Sequence, residues 1–278
     1  MGALSGPVRP DSGSIAVGGI DCSRKPKAAQ HLIGVVPDES NLYPELTGFD
    51  NLCFSGALYG MRKTRRQHRA EELLEQFGLS GAAGRLFSGY SRGMKRRLVI
   101  AAAIMHRPAV LFLDEPTSGI DVESSRLIRN LLSDLHRQGT TIFLATHYIA
   151  EAERLCDRIA FIAGGKIVRE DSVERLLQPV LGRNALSIVI SGDVSTVPYD
   201  ALRQAFPCLS FHGAPDGELH IESREPIRAG ALMRFLEDRG IEVAEAKKKQ
   251  LSLEDVFVDM TGIGAGVMQK EKEGRGRR

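Results

Sequence analysis

The chain lacks the features that would place it outside ordinary globular proteins. Its four cysteines, Cys22, Cys53, Cys156 and Cys208, are far apart and form no CxxC pair. That argues against a disulfide framework or a zinc site and fits a reducing compartment. No secretory signal is expected, because Met1 to Pro10 has no apolar core. No stretch is long enough to cross a membrane as a helix. The longest apolar run, Val99 to Met105, stops at His106-Arg107-Pro108, far short of the about 20 residues a span needs. There is no excess of one charge either: 37 basic and 35 acidic residues leave a formal net charge of +2. Such a balance gives no reason to propose a nucleic-acid partner. The runs Arg62 to Arg69 and Lys247 to Lys249 are basic, but no aromatic residue interleaves with them, so base stacking is unsupported. No repeat of solenoid length is found.

What is present reads as a folded α/β protein. Apolar residues make up 42% and charged residues 26% of 278, enough for a sizeable core. Residues 14–20 read as a strand entering a glycine turn, and 31–37 as a second strand. Helices are expected at Asp50–Tyr59, at Arg69–Phe77 with Gly78 as its C-cap, and at Met94–Met105. The segment Ala109 to Pro116 (AVLFLDEP) runs five apolar residues straight into two acids, the mark of a parallel strand buried on both faces. A helix over Arg126–His136, a strand over Thr140–Ala145, a helix over Ile149–Cys156 and a strand over Arg158–Ala163 complete the alternation. Beyond about residue 180, short strands at 185–190, 218–221 and 241–243 and helices at 199–206 and 229–239 predict a small α+β domain. Ser252 opens a last helix with Asp255 at the capping-box position. The tail from Gly264 lacks periodicity and is expected to be disordered.

Three places carry chemistry. Asp114 and Glu115 stand at the carboxyl end of a buried strand, where open α/β sheets bind ligands. An Asp there can hold Mg²⁺, and a neighbouring Glu can polarise a water that attacks a phosphate. His147 ends the next strand and is expected beside them, in reach of a γ-phosphate or the attacking water. Ser91 and Gly93 precede a helix, and free N–H groups at a helix start suit an anion.

Taken together, YSRGMKRRL, LFLDEPTSGID and ATH at these spacings resemble the ATP-binding subunits of ABC transporters. The resemblance covers nearly all of the chain up to Gly262. It implies a P-loop NTPase-like α/β fold with a mostly parallel sheet and a helical subdomain, about 45–105, plus a small C-terminal α+β domain. The ATPase domain would span 1–180 and the extension 181–262, leaving 263–278 as the tail. The motif LSLEDVFVDMTG is similar to the extension of the drug- and polysaccharide-export branch. By the same resemblance, Tyr90 to Met94 is the signature motif, Val110 to Asp114 the Walker B strand, and Glu115 the catalytic glutamate. Ser118, Gly119 and Asp121 belong to the D-loop, and His147 is the switch histidine. Ser91, Arg92 and Gly93 would contact a nucleotide held by a second ATP-binding subunit. The implied cofactors are ATP and Mg²⁺, with Asp114 toward the metal. The implied partners are a transmembrane permease and that second subunit, and the implied location is the inner face of the cell membrane.

Two departures stand out. No GxxxxGK[ST] occurs, and the one Gly-Lys pair, Gly165-Lys166, lies in a turn without a catalytic role in the family. The family's Walker A loop lies just before the segment that begins here, and Ala3 to Pro10 resembles the end of the helix it opens. A chain without that loop is expected to be N-terminally truncated and not to bind MgATP at its own site. Asp38 stands where the Q-loop usually has Gln, adding a negative charge and losing an amide donor. Two functions remain open: a subunit whose ATP hydrolysis energises export through a separate membrane protein, or a silent subunit that lends its signature motif to a partner ATPase.

Overall fold

The computed structural model describes residues 8, 10–191, 197–213, 218–249 and 251–261. The expected tail and most of Ala3–Pro10 lie outside them. Contacts divide the chain into two compact units, Met1–Leu155 and Cys156–Arg278.

In the first unit, the glycine turn at 18–19 joins β1 (Ala16–Val17) to β2 (Ile20–Asp21) as an antiparallel hairpin, where the sequence suggested one strand. A short helix not foreseen, α1 (Pro26–His31), follows with proline at its start. Three strands then pair in parallel in the order β3 (Ile33–Val36), β4 (Val110–Asp114), β5 (Thr141–Ala145). The middle strand is the apolar run VLFLD, and its Leu111, Phe112 and Leu113 are all buried. The register sets Val36 beside Leu113 and Asp114 beside Ala145, so the carboxyl ends of the strands come level.

Helices pack on one face of this sheet. α2 (Gly48–Leu58) starts at Thr47, whose hydroxyl accepts from the Asp50 amide at 3.0 Å. α3 (Lys63–Gln76) turns Ala70, Leu73 and Leu74 inward, and Gly78 (φ +63°) follows its end. α4 (Arg92–Ala103) buries its whole second half. α5 (Val122–Arg137) is amphipathic, with Ile128, Leu131, Leu132 and Leu135 buried at helical spacing. These side chains share one core with Leu111 and Leu113 of β4. Each such Leu or Ile contributes about 1.5–3 kcal/mol on burial. α6 (Ile149–Leu155) ends the unit.

The second unit opens with a hairpin, β6 (Arg158–Ala163) and β7 (Lys166–Ser172), followed by α7 (Val173–Leu177). Phe161 of the hairpin packs edge-on against Phe257 of α10 (Leu253–Thr261), ring centroids 5.2 Å apart. That contact explains why residues 156–180 cluster with the C-terminal part. A four-stranded antiparallel sheet has the order β11 (Val243–Lys249), β8 (Asn184–Ile190), β10 (Glu218–Ser223), β9 (Ser210–Gly213). With α8 (Tyr199–Ala205) and α9 (Ala229–Glu237) it encloses a core that includes Ile188, Leu202, Leu219, Ile221 and Leu236. Asp255 accepts from the Ser252 amide at 2.9 Å, as a helix start requires.

Candidate functional site

The level strand ends bring Asp114, Glu115 and His147 together. Glu115 follows β4 directly, and its amide donates to the Ala145 carbonyl at 3.0 Å, extending the β4–β5 pairing by one residue. Its φ of +48° then turns the chain sharply. A non-glycine residue rarely holds that conformation, and such strain gathers at functional sites. The side chain is only 4% exposed.

Three groups from the end of β5 hold the Glu115 carboxylate. The His147 amide donates to Oε1 at 2.9 Å, the His147 ring places Nδ1 2.7 Å from the same oxygen, and the Thr146 hydroxyl donates to Oε2 at 3.1 Å. With Nδ1–H donating to the carboxylate, a neutral imidazole keeps its lone pair on Nε2. The pair thus fixes the histidine tautomer. Asp114 is half-buried at the last position of β4. Behind it, Thr117 donates to the buried Glu151 of α6 at 2.6 Å, tying the turn after β4 to that helix.

The residue that organises the strand ends is Arg96, which sequence reasoning missed. It is 8% exposed in the middle of α4. Its Nε donates to the Pro116 carbonyl at 3.0 Å, its Nη1 to the Pro37 and Asp38 carbonyls, and its Nη2 to the Asp114 carbonyl. One guanidinium therefore joins the ends of β3 and β4. Burial pulls its pKa below the ordinary guanidinium range, while the carboxylates of Asp38, Asp114 and Glu115 pull it back up. It stays charged at neutral pH. Asp38 itself is exposed; its backbone, through Arg96, is what connects it to Asp114. Nothing in the KRR run, Lys95 to Arg97, singles out Arg96.

The other expected residues cluster at two helix starts. Ser91 caps α4 by accepting from the Met94 amide at 3.3 Å, and Arg92 is exposed beside it. Asp121 caps α5 by accepting from the Ser124 amide at 2.8 Å, which lowers its carboxyl pKa. Ser118 and the positive-φ Gly119 lie exposed in the loop between. The two starts touch at Gly93: a Cβ there would lie 2.1 Å from Ser124 Oγ and 3.4 Å from Asp121 Oδ2. Glycine is required at that close approach.

Residues 1–118 match the ABC transporter family. The linearmycin resistance ATP-binding protein LnrL of Bacillus subtilis (strain 168) is 40% identical over 189 residues, covering 68% of this chain but 61% of that protein. The daunorubicin/doxorubicin resistance ATP-binding protein DrrA of Streptomyces peucetius is 35% identical over 256 residues, covering 92% of this chain and 77% of that protein. A solved ATP-binding subunit of an ABC transporter superposes with a TM-score of 0.58 at 24% identity, over 64% of this chain and 75% of the other, which supports the fold. On these relatives, the chain belongs to the ATP-binding subunits of ABC transporters, in the branch that holds the drug-resistance members.

Proposed function

We propose that this subunit takes part in ATP hydrolysis that energises export through a separate transmembrane permease. The observation that carries the reading is the Glu115–His147 pair, held at the carboxyl ends of adjacent parallel strands beside Asp114. The ATPase domain would be residues 1–180, with 181–262 as its extension.

The side chains present suit one end of MgATP. A Mg²⁺ that takes one carboxylate and completes its shell with phosphate oxygens and water needs no cage of protein ligands. Asp114 offers that carboxylate. The sequence has no GxxxxGK[ST], so these 278 residues do not furnish the usual grip on the β-phosphate. When bound, MgATP supplies the phosphoryl group that water attacks. Glu115 accepts the proton of that water, and His147 positions Nε2 toward the reacting end. Ser91 and Gly93, with Arg92 beside them, present the positive start of α4 to the nucleotide of a second subunit. Ser118, Gly119 and Asp121 form the facing loop, and Asp38, at the Q-loop position, would bring a carboxylate near the phosphates. The compound exported is set by the permease.

The test is ATP hydrolysis and efflux in cells that carry the whole transporter, with Glu115→Gln in this subunit. Hydrolysis should fall by at least about 100-fold while nucleotide binding persists. Unchanged turnover would remove Glu115 from the mechanism. The isolated 278-residue chain, in contrast, should show no micromolar affinity for MgATP.

A further inference from the structure

Shortly beyond Glu115 in the chain stands Thr117, and shortly beyond His147 stands Glu151. Thr117 sits in the turn after β4. The Ser118 amide donates to the Glu115 carbonyl at 3.3 Å, which closes residues 115–118 as a turn with Pro116 at its second position. Two contacts grip this turn from outside. Arg96 Nε donates to the Pro116 carbonyl at 3.0 Å, and the Thr117 hydroxyl donates to Glu151 Oε1 at 2.6 Å. Glu151 lies in the first turn of α6, and its side chain is buried.

The bond from Thr117 completes a ring. Glu115 Oε2 accepts from the Thr146 hydroxyl at 3.1 Å, and Thr146 Oγ1 accepts from the Tyr148 amide at 3.0 Å. The Tyr148 carbonyl accepts from the Glu151 amide at 3.0 Å. Glu151 takes the Thr117 hydroxyl, and the turn leads back to Glu115. The Glu115 carboxylate is therefore tied to the end of β5, and its backbone is tied to the same segment by a second route. That second route matters because Glu115 has a φ of +48°. A side-chain-bearing residue keeps such a conformation only where its surroundings fix it.

The ring contains a group that a purely structural tie has no need of. Among the described residues, Glu151 Oε2 is shut off from water and has no hydrogen-bond partner. A sealed carboxyl oxygen without a partner costs stability. Replacing both Thr117 and Glu151 by apolar side chains would leave no such atom, and double replacements of that kind are often neutral or stabilising. The costly group is explained if the Thr117 bond serves the geometry of the turn and not the stability of the fold.

We propose that Glu151 is a positioning residue. Through Thr117 it holds the 115–118 turn, so that Glu115 keeps its carboxylate toward the attacking water. It acts only through Thr117 and moves no proton. This role rests on the reading of Glu115 as the base in ATP hydrolysis.

Thr117→Val combined with Glu151→Met removes the bond and leaves neither partner unpaired. In the whole transporter, kcat for ATP should fall by about tenfold or more in this double variant, with KM within about twofold. The full chain carrying it should melt no lower than the unmodified chain. Against native Glu151, Thr117→Ser restores the hydroxyl and should recover most of the turnover that Thr117→Val loses. Hydrogen exchange in the full chain reads the turn without nucleotide: the Ser118 amide should exchange faster in the double variant. A double variant that keeps its turnover, that loses turnover and stability in step, or whose Ser118 amide exchanges no faster overturns the positioning role. Glu115→Gln is measured alongside. If it leaves turnover unchanged, the hydrolysis reading fails and takes this role with it. If it stops turnover and the double variant does not, the positioning role alone fails.

Discussion

Replacing Arg96 with methionine tests whether one guanidinium holds the strand ends in place. The native side chain donates to four carbonyls, those of Pro37, Asp38, Asp114 and Pro116. Hydrogen bonds from a charged donor are worth about 1.5–3 kcal/mol each, but they do not add fully. Methionine fits the apolar stem and removes the burial penalty of the charge. Water can reach the exposed Asp38 end and recover part of the loss. The net cost should be about 3–5 kcal/mol, a large share of the about 5–15 kcal/mol typical of a domain. Arg96→Lys should cost nearly as much, because one ammonium cannot span four acceptors in a fork. Lys95→Met is the control: that side chain only places its ammonium 5.5 Å over the Phe87 ring, worth about 0.5–1 kcal/mol. The chain has no tryptophan, so unfolding in urea is followed by circular dichroism, with hydrogen exchange at the β4 amides to localise the effect. If Arg96→Met costs no more than Lys95→Met, and β4 amides exchange no faster, the hub role of Arg96 is wrong.

Two further outcomes follow from the packing. Burial, opposed by the Ile33 hydrogen bond and reinforced by His31, holds His106 at about 4 against 6.5 for an ordinary imidazole. As pH falls below about 6.5 the unfolded chain takes up this proton first, so stability drops between pH 6.5 and 4 and levels off below. Allowing for the partial exposure of the ring, the loss is about 1–2 kcal/mol, and His106→Gln should flatten it in urea melts across that range; an unchanged slope would refute the assignment. Gly93→Ala should destabilise the first unit by about 1–3 kcal/mol through its clash with Ser124. Adding Ser124→Gly should recover part of that loss, and an equal loss in single and double variants would show that the clash is not the cause.

Much of the first unit was legible because its elements carry strong periodic signals. α2, α4, α5 and the three parallel strands sit within about four residues of where they were expected, while α3 begins six residues earlier, at Lys63 instead of Arg69, because its polar first turns carry no apolar stripe. The site was legible in part. Asp114, Glu115 and His147 follow from two neighbouring strand ends, and the register confirms that those ends are level. Other features had no such signal. α1 has one buried residue, Ala29, and so no apolar stripe to read. β7 (KIVREDS) has no fully buried residue, and β11 ends in three exposed lysines at a sheet edge; both strands exist through pairing with a neighbour, which composition does not reveal. Lysines at an edge also guard it against pairing with other chains. Arg96 was hidden for another reason. Its role depends on four carbonyls, and every residue offers a carbonyl.

Arg96 lies five residues into the helix that Ser91 caps, about 7.5 Å along its axis. That distance turns α4 into a short lever pivoting on the sheet. If the helical layer rotated, the pinned point would stay with β3 and β4 while Ser91 and Gly93 swept through an arc. Through its contact with Ser124, Gly93 would carry the start of α5 along the same arc. Any displacement of the helix tip relative to the strand ends would then have to bend or break the grip of one guanidinium.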